Sequence, residues 1–394
     1  MQADGAEANV NARFNVAVLP GDGIGPEVMA PCLDLLNELG TAFGFSFSFE
    51  TMEAGADLYT RTGEALPSEV IDAADAADVV LLGAMGHPDV RYPDGREIAP
   101  QVELRERFEL FAGVRPIRTY PGMPVPLSDP RAQHLDLVIV RESTEGLFAG
   151  RTTEVTSSQS AQTTMTITRT ASERLFDFSF DLARTRRDER KDQKRPGAVT
   201  CVDKANVFTA FRFFRDIFHE RATHNTDVEA DTCYIDAMAL NLVRQPWRYD
   251  VVVTENLFGD ILSDLGAGLM GGMGMAPSAD IGIQHAVFQP CHGTAPDIAG
   301  HEQANPAAMI LSGAMMLDWL GRRHDLPGCI AAGVALQSAV ETAFAERQLR
   351  PTELGGDHGT ADITAAVRES LDPMRSLPVG TERTAATAQN RVAQ

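Results

Sequence analysis

The chain has 394 residues, of which 44% are apolar and 23% charged, and 34 basic against 55 acidic residues give a net charge of −21. That composition is of a soluble globular protein with room for two domains. The charge disfavours nonspecific binding to nucleic acid or to an anionic membrane, so an anionic substrate needs a local basic pocket.

Cys32, Cys201, Cys233, Cys291 and Cys329 stand singly, with no CxxC or zinc spacing, which fits a reducing, cytoplasmic compartment. The polar N-terminus lacks the apolar core of a signal peptide, and no run of 18 apolar residues suggests a membrane span.

The first strand is expected at 15–20, "NVAVLP". It leads into "LPGDGIGPEV", with Gly21, Gly23 and Gly25, and into a helix over 27–39 that Pro26 is well placed to open. The spacing is G-x-G-x-G, so the dinucleotide fingerprint G-x-G-x-x-G is not met. The glycines serve equally a tight structural turn. A second strand is expected at 78–84. Arg105 and Arg115 follow in "LRERFELFAGVRPIR", and Arg141 ends the strand expected at 136–142. Arginine matches a carboxylate with a planar fork, so three of them suit a di- or tricarboxylate; each taken singly also reads as a surface residue.

Residues 151–170 are rich in Ser and Thr, with Met165 and Ile167 alternating among threonines. This period of two predicts an extended arm or hairpin whose edge invites a partner chain. A helix is expected over 172–183. "RTRRDERKDQKR", 184–195, mixes seven basic with three acidic residues and reads as a solvated helix end and loop. The strand at 198–204 delivers Lys204, a general base if desolvated and a snorkelling side chain otherwise. Asp236 opens an apolar helix, as a cap or as an oxygen ligand. The last buried strand, 250–256, precedes "LFGDILSDLG", where Asp260 and Asp264 lie one turn apart among apolar residues. Like charges so placed repel. They sit on a solvated edge or flank a cation, and Mg²⁺ or Mn²⁺ prefers such oxygens. Finally, "PCHGTAPDIAGHEQANP", 290–306, is a loop long enough to suggest function. Short strands alternating with helices predict an α/β fold with a mostly parallel sheet.

In this order, "LPGDGIGPEV", the Arg105/Arg115 pair, "VRESTEGLF", "VDKANV", "YIDAMA", "TENLFGDILSD" and "HGTAPDIAG…NP" resemble the isocitrate/3-isopropylmalate dehydrogenase family of β-decarboxylating dehydrogenases. The resemblance covers nearly the whole chain. It implies two α/β domains that are not Rossmann folds, one of about 1–110 plus 271–376 and one of about 111–270, with 377–394 a flexible tail. It implies that Arg105, Arg115 and Arg141 grip substrate carboxylates, and that Asp260 and Asp264, with Asp236 from a partner subunit, surround Mg²⁺ or Mn²⁺. Lys204, also from the partner, becomes the base. His292, Gly293, Thr294, Ala295, Asp297 and Asn305 hold the adenosine half of the dinucleotide. Asp297, where NADP-using relatives carry lysine, implies NAD. Shared sites and the arm at 151–170 make a homodimer the minimum working unit.

The implied reaction is oxidative decarboxylation of a 3-substituted malate, of the 3-isopropylmalate, isocitrate, homoisocitrate, tartrate or malate type. Two departures stand out. Phe148 occupies the place of the family's proton-donating tyrosine, so a noncatalytic regulatory subunit is the alternative reading. Gln101 and Val102 stand where isopropylmalate enzymes carry leucines, which hints at a polar or small C3 group.

Overall fold

The computed structural model describes residues 12–151, 153–190 and 196–375. Its strands are β1 (Ala12–Gly21), β2 (Phe45–Thr51), β3 (Val79–Ala84), β4 (Ala112–Arg118), β5 (Asp136–Glu142), β6 (Val155–Thr156), β7 (Ala161–Gln162), β8 (Ala198–Asp203), β9 (Glu229–Tyr234), β10 (Val251–Thr254), β11 (Pro277–Ile281) and β12 (Ala286–Pro290). All but β6 and β7 form one sheet in the order β2-β1-β3-β12-β11-β4-β5-β10-β8-β9. The two wings are parallel, and the centre, where β12, β11, β4 and β5 meet, is antiparallel. The fold is therefore α/β with a mostly parallel sheet.

The wings follow from composition. β3 (VVLLGA) and β10 (VVVT) are buried throughout, as strands covered by helices on both faces must be. The helix Gly25–Phe43 has proline in its first turn and ends on Gly44 in the left-handed region, φ 83°. Its buried Val28, Cys32, Leu35, Leu36 and Leu39 recur at helical spacing. The helix Pro327–Arg347 is long and apolar enough to cross a membrane by length and composition. Half of it is buried, and it packs against the helices Ala307–Arg323, Thr360–Arg375 and Gly25–Phe43. It is a core helix of this fold.

The arm is a hairpin, with β6 paired to β7 and Gly146 bridged to Thr166. It ends earlier than 170, because Thr168 caps the helix Arg169–Glu189 by accepting from the Ala171 N–H. The basic run after it is less solvated than its composition suggests. Arg186 and Arg190 turn inward and share the fully buried Asp250 carboxylate, each at 2.8 Å. Residues 191–195 of that run, like the tail from 377, lie outside the described residues.

Candidate active site

The carboxyl ends of parallel strands form one edge of the sheet, where α/β folds place ligands. Arg141 is the penultimate residue of β5, Lys204 directly follows β8, and Asp236 lies two residues past β9. The helix Asn256–Met270, which starts just beyond β10, carries Asp260 and Asp264. All five therefore emerge at the same edge.

The arginines converge. Arg141 is 3% exposed and donates from Nε and Nη2 to the Asn256 side-chain oxygen, at 2.9 and 2.7 Å, and from Nη1 to Asp260. Burial, and then the neighbouring cation Arg105, pull its pKa down to about 10. Arg105, on the helix Pro100–Arg107, and Arg115, in β4, both donate to Asp280 at 2.9 Å. The Asp280 carboxyl is fully buried; burial alone would raise it, but Arg105 and Arg115 hold it near 2. Three buried guanidiniums served by so few acids make an anion site in a chain that is acidic overall.

Asp264 carries the opposite strain. Burial, and then the charge of Asp260 one turn away, raise its pKa. Arg141 and Arg115 offset only part of this, and two carboxylates on one helix face suit a hard divalent cation. Within one chain the third does not join them: among the described residues no three His, Cys, Asp or Glu side chains are grouped to hold a metal. Asp236 instead accepts from Lys204 Nζ at 2.5 Å, which lowers its pKa. It caps nothing, because Tyr234 is the cap residue of that helix. Sheet order explains the separation. β8 lies two strands from β5, a step of about 10 Å, and β9 lies one strand farther.

The glycine turn and the long loop meet. Ile24 N–H donates to Thr294 O at 2.8 Å, and a Cβ on Gly23 (φ +57°) would stand 2.1 Å from that oxygen. The glycines thus serve close backbone approach. Glu27 accepts from the Gly300 and Ala304 N–H groups and from the Thr360 hydroxyl, pinning the loop's far end. Asn305 donates to Glu353 at 3.0 Å. Ala295 holds φ 38°, whereas Gly293 and Asp297 are exposed. His292 Nδ1 lies 2.9 Å from Gly293 O, its Nε2 is buried without a partner, and burial lowers its pKa. An orphaned ring nitrogen beside exposed backbone fits a polar ligand such as a dinucleotide.

The sequence and the fold are shared with known proteins. The sequence profile described as isocitrate/isopropylmalate dehydrogenase matches residues 15–367. The chain belongs to the isocitrate/isopropylmalate dehydrogenase family. It is 41% identical to the 3-isopropylmalate/3-methylmalate dehydrogenase of Methanocaldococcus jannaschii, over 90% of this chain and 98% of that one. It is 39% identical to the homoisocitrate dehydrogenase of the same organism, over 89% and 95%. The crystal structure of isocitrate dehydrogenase from Methylococcus capsulatus superposes with a TM-score of 0.77 at 34% identity, covering 91% of this chain and 99% of that one. As a member of this family the chain is an oxidatively decarboxylating dehydrogenase.

Two residues that hold the arginines escaped the sequence reading. Asn256 orients Arg141, and Asp280 joins Arg105 to Arg115. Asp280 had a signal: a lone acid in the apolar strand PSADI must find a cation. Asn256 had none beyond its place at the start of a helix.

Proposed function

We propose that this dehydrogenase acts on a 3-substituted malate, with NAD⁺ as oxidant and Mg²⁺ or Mn²⁺ as its metal. The observation that carries the reading is the convergence of buried Arg105, Arg115 and Arg141 beside Asp260 and Asp264 at one sheet edge. When bound, the cation would supply Lewis acidity at the C2 hydroxyl and the nicotinamide would supply the hydride acceptor. The arginines hold the substrate carboxylates and fix which face of C2 is presented. Asp260 and Asp264, with Asp236 of a second copy, hold the cation. Lys204 Nζ takes the hydroxyl proton. Phe148 has no hydroxyl to return a proton to C3 after CO₂ departs, so that proton comes from another group or from water.

Apolar surface supports the second copy. Leu240 and Val243 on the helix Ile235–Arg244 and Ile261 on the helix Asn256–Met270 are about half exposed, and the two helices pack together. Val207 and Phe208, just after Lys204, are exposed as well. A homodimer that buries this face makes its sites from both chains and sets Lys204 and Asp236 against the partner's Asp260 and Asp264. The hairpin arm, which ends before Thr168, adds to the same contact. We read 1–110 with 271–376 as the cofactor-side domain and 111–270 as the dimer-side domain, and the chain as cytoplasmic. The loop His292 to Asp297, with Asn305, holds the adenosine half, and Asp297 favours NAD over a 2′-phosphorylated nucleotide.

Gln101 lies one turn before Arg105 on the same helix face, and its Oε1 is buried without a partner. That supports a C3 group with a polar edge or little bulk. A regulatory subunit that binds without turnover is the second reading, favoured by Phe148 and opposed by the intact lysine, arginines and aspartates. The test is NADH formation with Mn²⁺ on 3-isopropylmalate, isocitrate, homoisocitrate, D-malate and tartrate, repeated with NADP⁺. Turnover of one of them with NAD⁺ preferred is expected; nucleotide reduction with none of them favours the regulatory reading.

A further inference from the structure

Asp280 is a carboxylate inside a ten-stranded sheet, 1% exposed. A charge so buried persists only when paired. Its Oδ2 accepts from Arg105 Nε at 2.9 Å and from Gln289 Nε2 at 2.7 Å, and its Oδ1 accepts from Arg115 Nη2 at 2.9 Å. The two arginines come from different elements, a helix and β4, and Asp280 on β11 is a side chain both of them touch.

Strand register adds the third arginine. Asp280 stands opposite Gly113 on β4, and Gly113 opposite Arg141 on β5. Residues directly opposite share a face, so the three form one row. The middle place has no side chain. A Cβ on Gly113 would meet Ser143 Oγ at 2.7 Å, Asp280 Oδ1 at 3.2 Å and Arg141 Cβ at 3.4 Å. Acid and cation thus face each other across a gap that only glycine leaves open.

The hydrogen bonds determine which donors are left for a ligand. Arg141 uses one N–H each of Nε, Nη1 and Nη2 on Asn256 and Asp260, which leaves one on each Nη. Arg115 spends Nη1 on the Ala279 and Val114 carbonyls. Arg105 spends Nε on Asp280, and its two Nη groups make no hydrogen bond among the described residues. Those two form the edge that meets a carboxylate bidentately. Asp280 aims that edge and cancels one positive charge of the three that the arginines bring.

We propose that Asp280 is a positioning and specificity-determining residue, which orients Arg105 and Arg115 and lowers the pocket's positive charge so that it favours a hydroxy dicarboxylate with an uncharged C3 group over a hydroxy tricarboxylate. This rests on the reading that the three arginines hold the substrate. Removing the Asp280 charge adds one net positive charge to the pocket and shifts preference toward the more anionic ligand.

The experiment compares wild type, Asp280→Asn and Asp280→Glu, each confirmed folded by thermal unfolding, with 3-isopropylmalate and isocitrate as probes and Mn²⁺ present. Binding is measured by titration calorimetry and turnover with NAD⁺, so a chain that binds without turnover still reports on Asp280. In Asp280→Asn, 3-isopropylmalate should bind about tenfold more weakly, the loss of one charge-assisted bond. Its KM should rise in step while kcat falls less than about threefold. The isocitrate-to-3-isopropylmalate affinity ratio should rise about tenfold or more, from the added charge and the misaimed fork together. Asp280→Glu keeps the charge but moves the arginines, so it should weaken both probes and leave their ratio as in wild type. Equal weakening of both probes in Asp280→Asn, or the same ratio change in Asp280→Glu, would overturn the proposal. If Asp280→Asn does not fold, Asp280→Glu decides through the ratio alone. Absent turnover in wild type counts against the proposed activity, whereas the binding ratio judges Asp280.

Discussion

The Arg141 guanidinium lies over the ring of Phe148, 4.9 Å from its centroid. The ring thus keeps a packing role beside an arginine proposed to bind substrate, while lacking the hydroxyl of the tyrosine that the family resemblance implies here. A cation over an aromatic face gains about 0.5–2 kcal/mol, more when desolvated.

Phe148→Tyr should therefore fold and bind as wild type and should speed ketonisation of the released product. Following the product's enol absorbance alongside CO₂ release checks this. If both rates are unchanged in the variant, Phe148 is not where the missing proton donor belongs.

Gly23→Ala places a methyl group 2.1 Å from Thr294 O at a φ of +57°. The loop carrying Asp297 must retreat. Destabilisation of about 1–3 kcal/mol is expected, read as a lower Tm, together with a raised KM for NAD⁺ and an unaltered metal affinity. An unchanged KM for NAD⁺ would separate the glycine turn from the dinucleotide site.

Asp280 makes stability depend on acid. Its folded pKa is near 2, against about 3.9 for an unfolded aspartate. A depressed carboxylate contributes stability that is complete above the unfolded value and is lost as pH falls through the folded one. The Tm gap between wild type and Asp280→Asn should be full above about pH 4.5 and narrow steadily toward pH 2. A gap that stays constant over that range would mean that folding does not lower the Asp280 pKa.

Subunit sharing has its own test. Lys204→Ala and Asp260→Ala should each be nearly inactive alone. Co-expressed, they should recover about a quarter of wild-type activity, because half of randomly paired dimers are hybrids with one intact site each. No recovery in verified hybrids would mean that Lys204 and Asp260 act from the same chain and that the site is not shared.

Much of this site is legible in the sequence because its parts are local. Strands buried on both faces read as unbroken apolar runs, and the i, i+4 acids of "LFGDILSDLG" announce one helix face. What is not legible is pairing at a distance. Arg186 and Arg190 look solvated in a mixed run, but their partner Asp250 lies 60 or more residues away. The antiparallel centre, with β11 between β12 and β4, depends on chain returns that no periodicity encodes. Asp280 joins two arginines that precede it by 175 and 165 residues, so its need for cations is readable while their identity is not.

The most direct measurement follows NADH and CO₂ together from the purified chain with NAD⁺, Mn²⁺ and the best hydroxy acid, before and after EDTA. The expected result is equal yields of both products, abolished by EDTA and restored by added Mn²⁺. NADH formation that survives EDTA, or that proceeds without CO₂, would contradict an oxidative decarboxylase whose metal is held by Asp260 and Asp264.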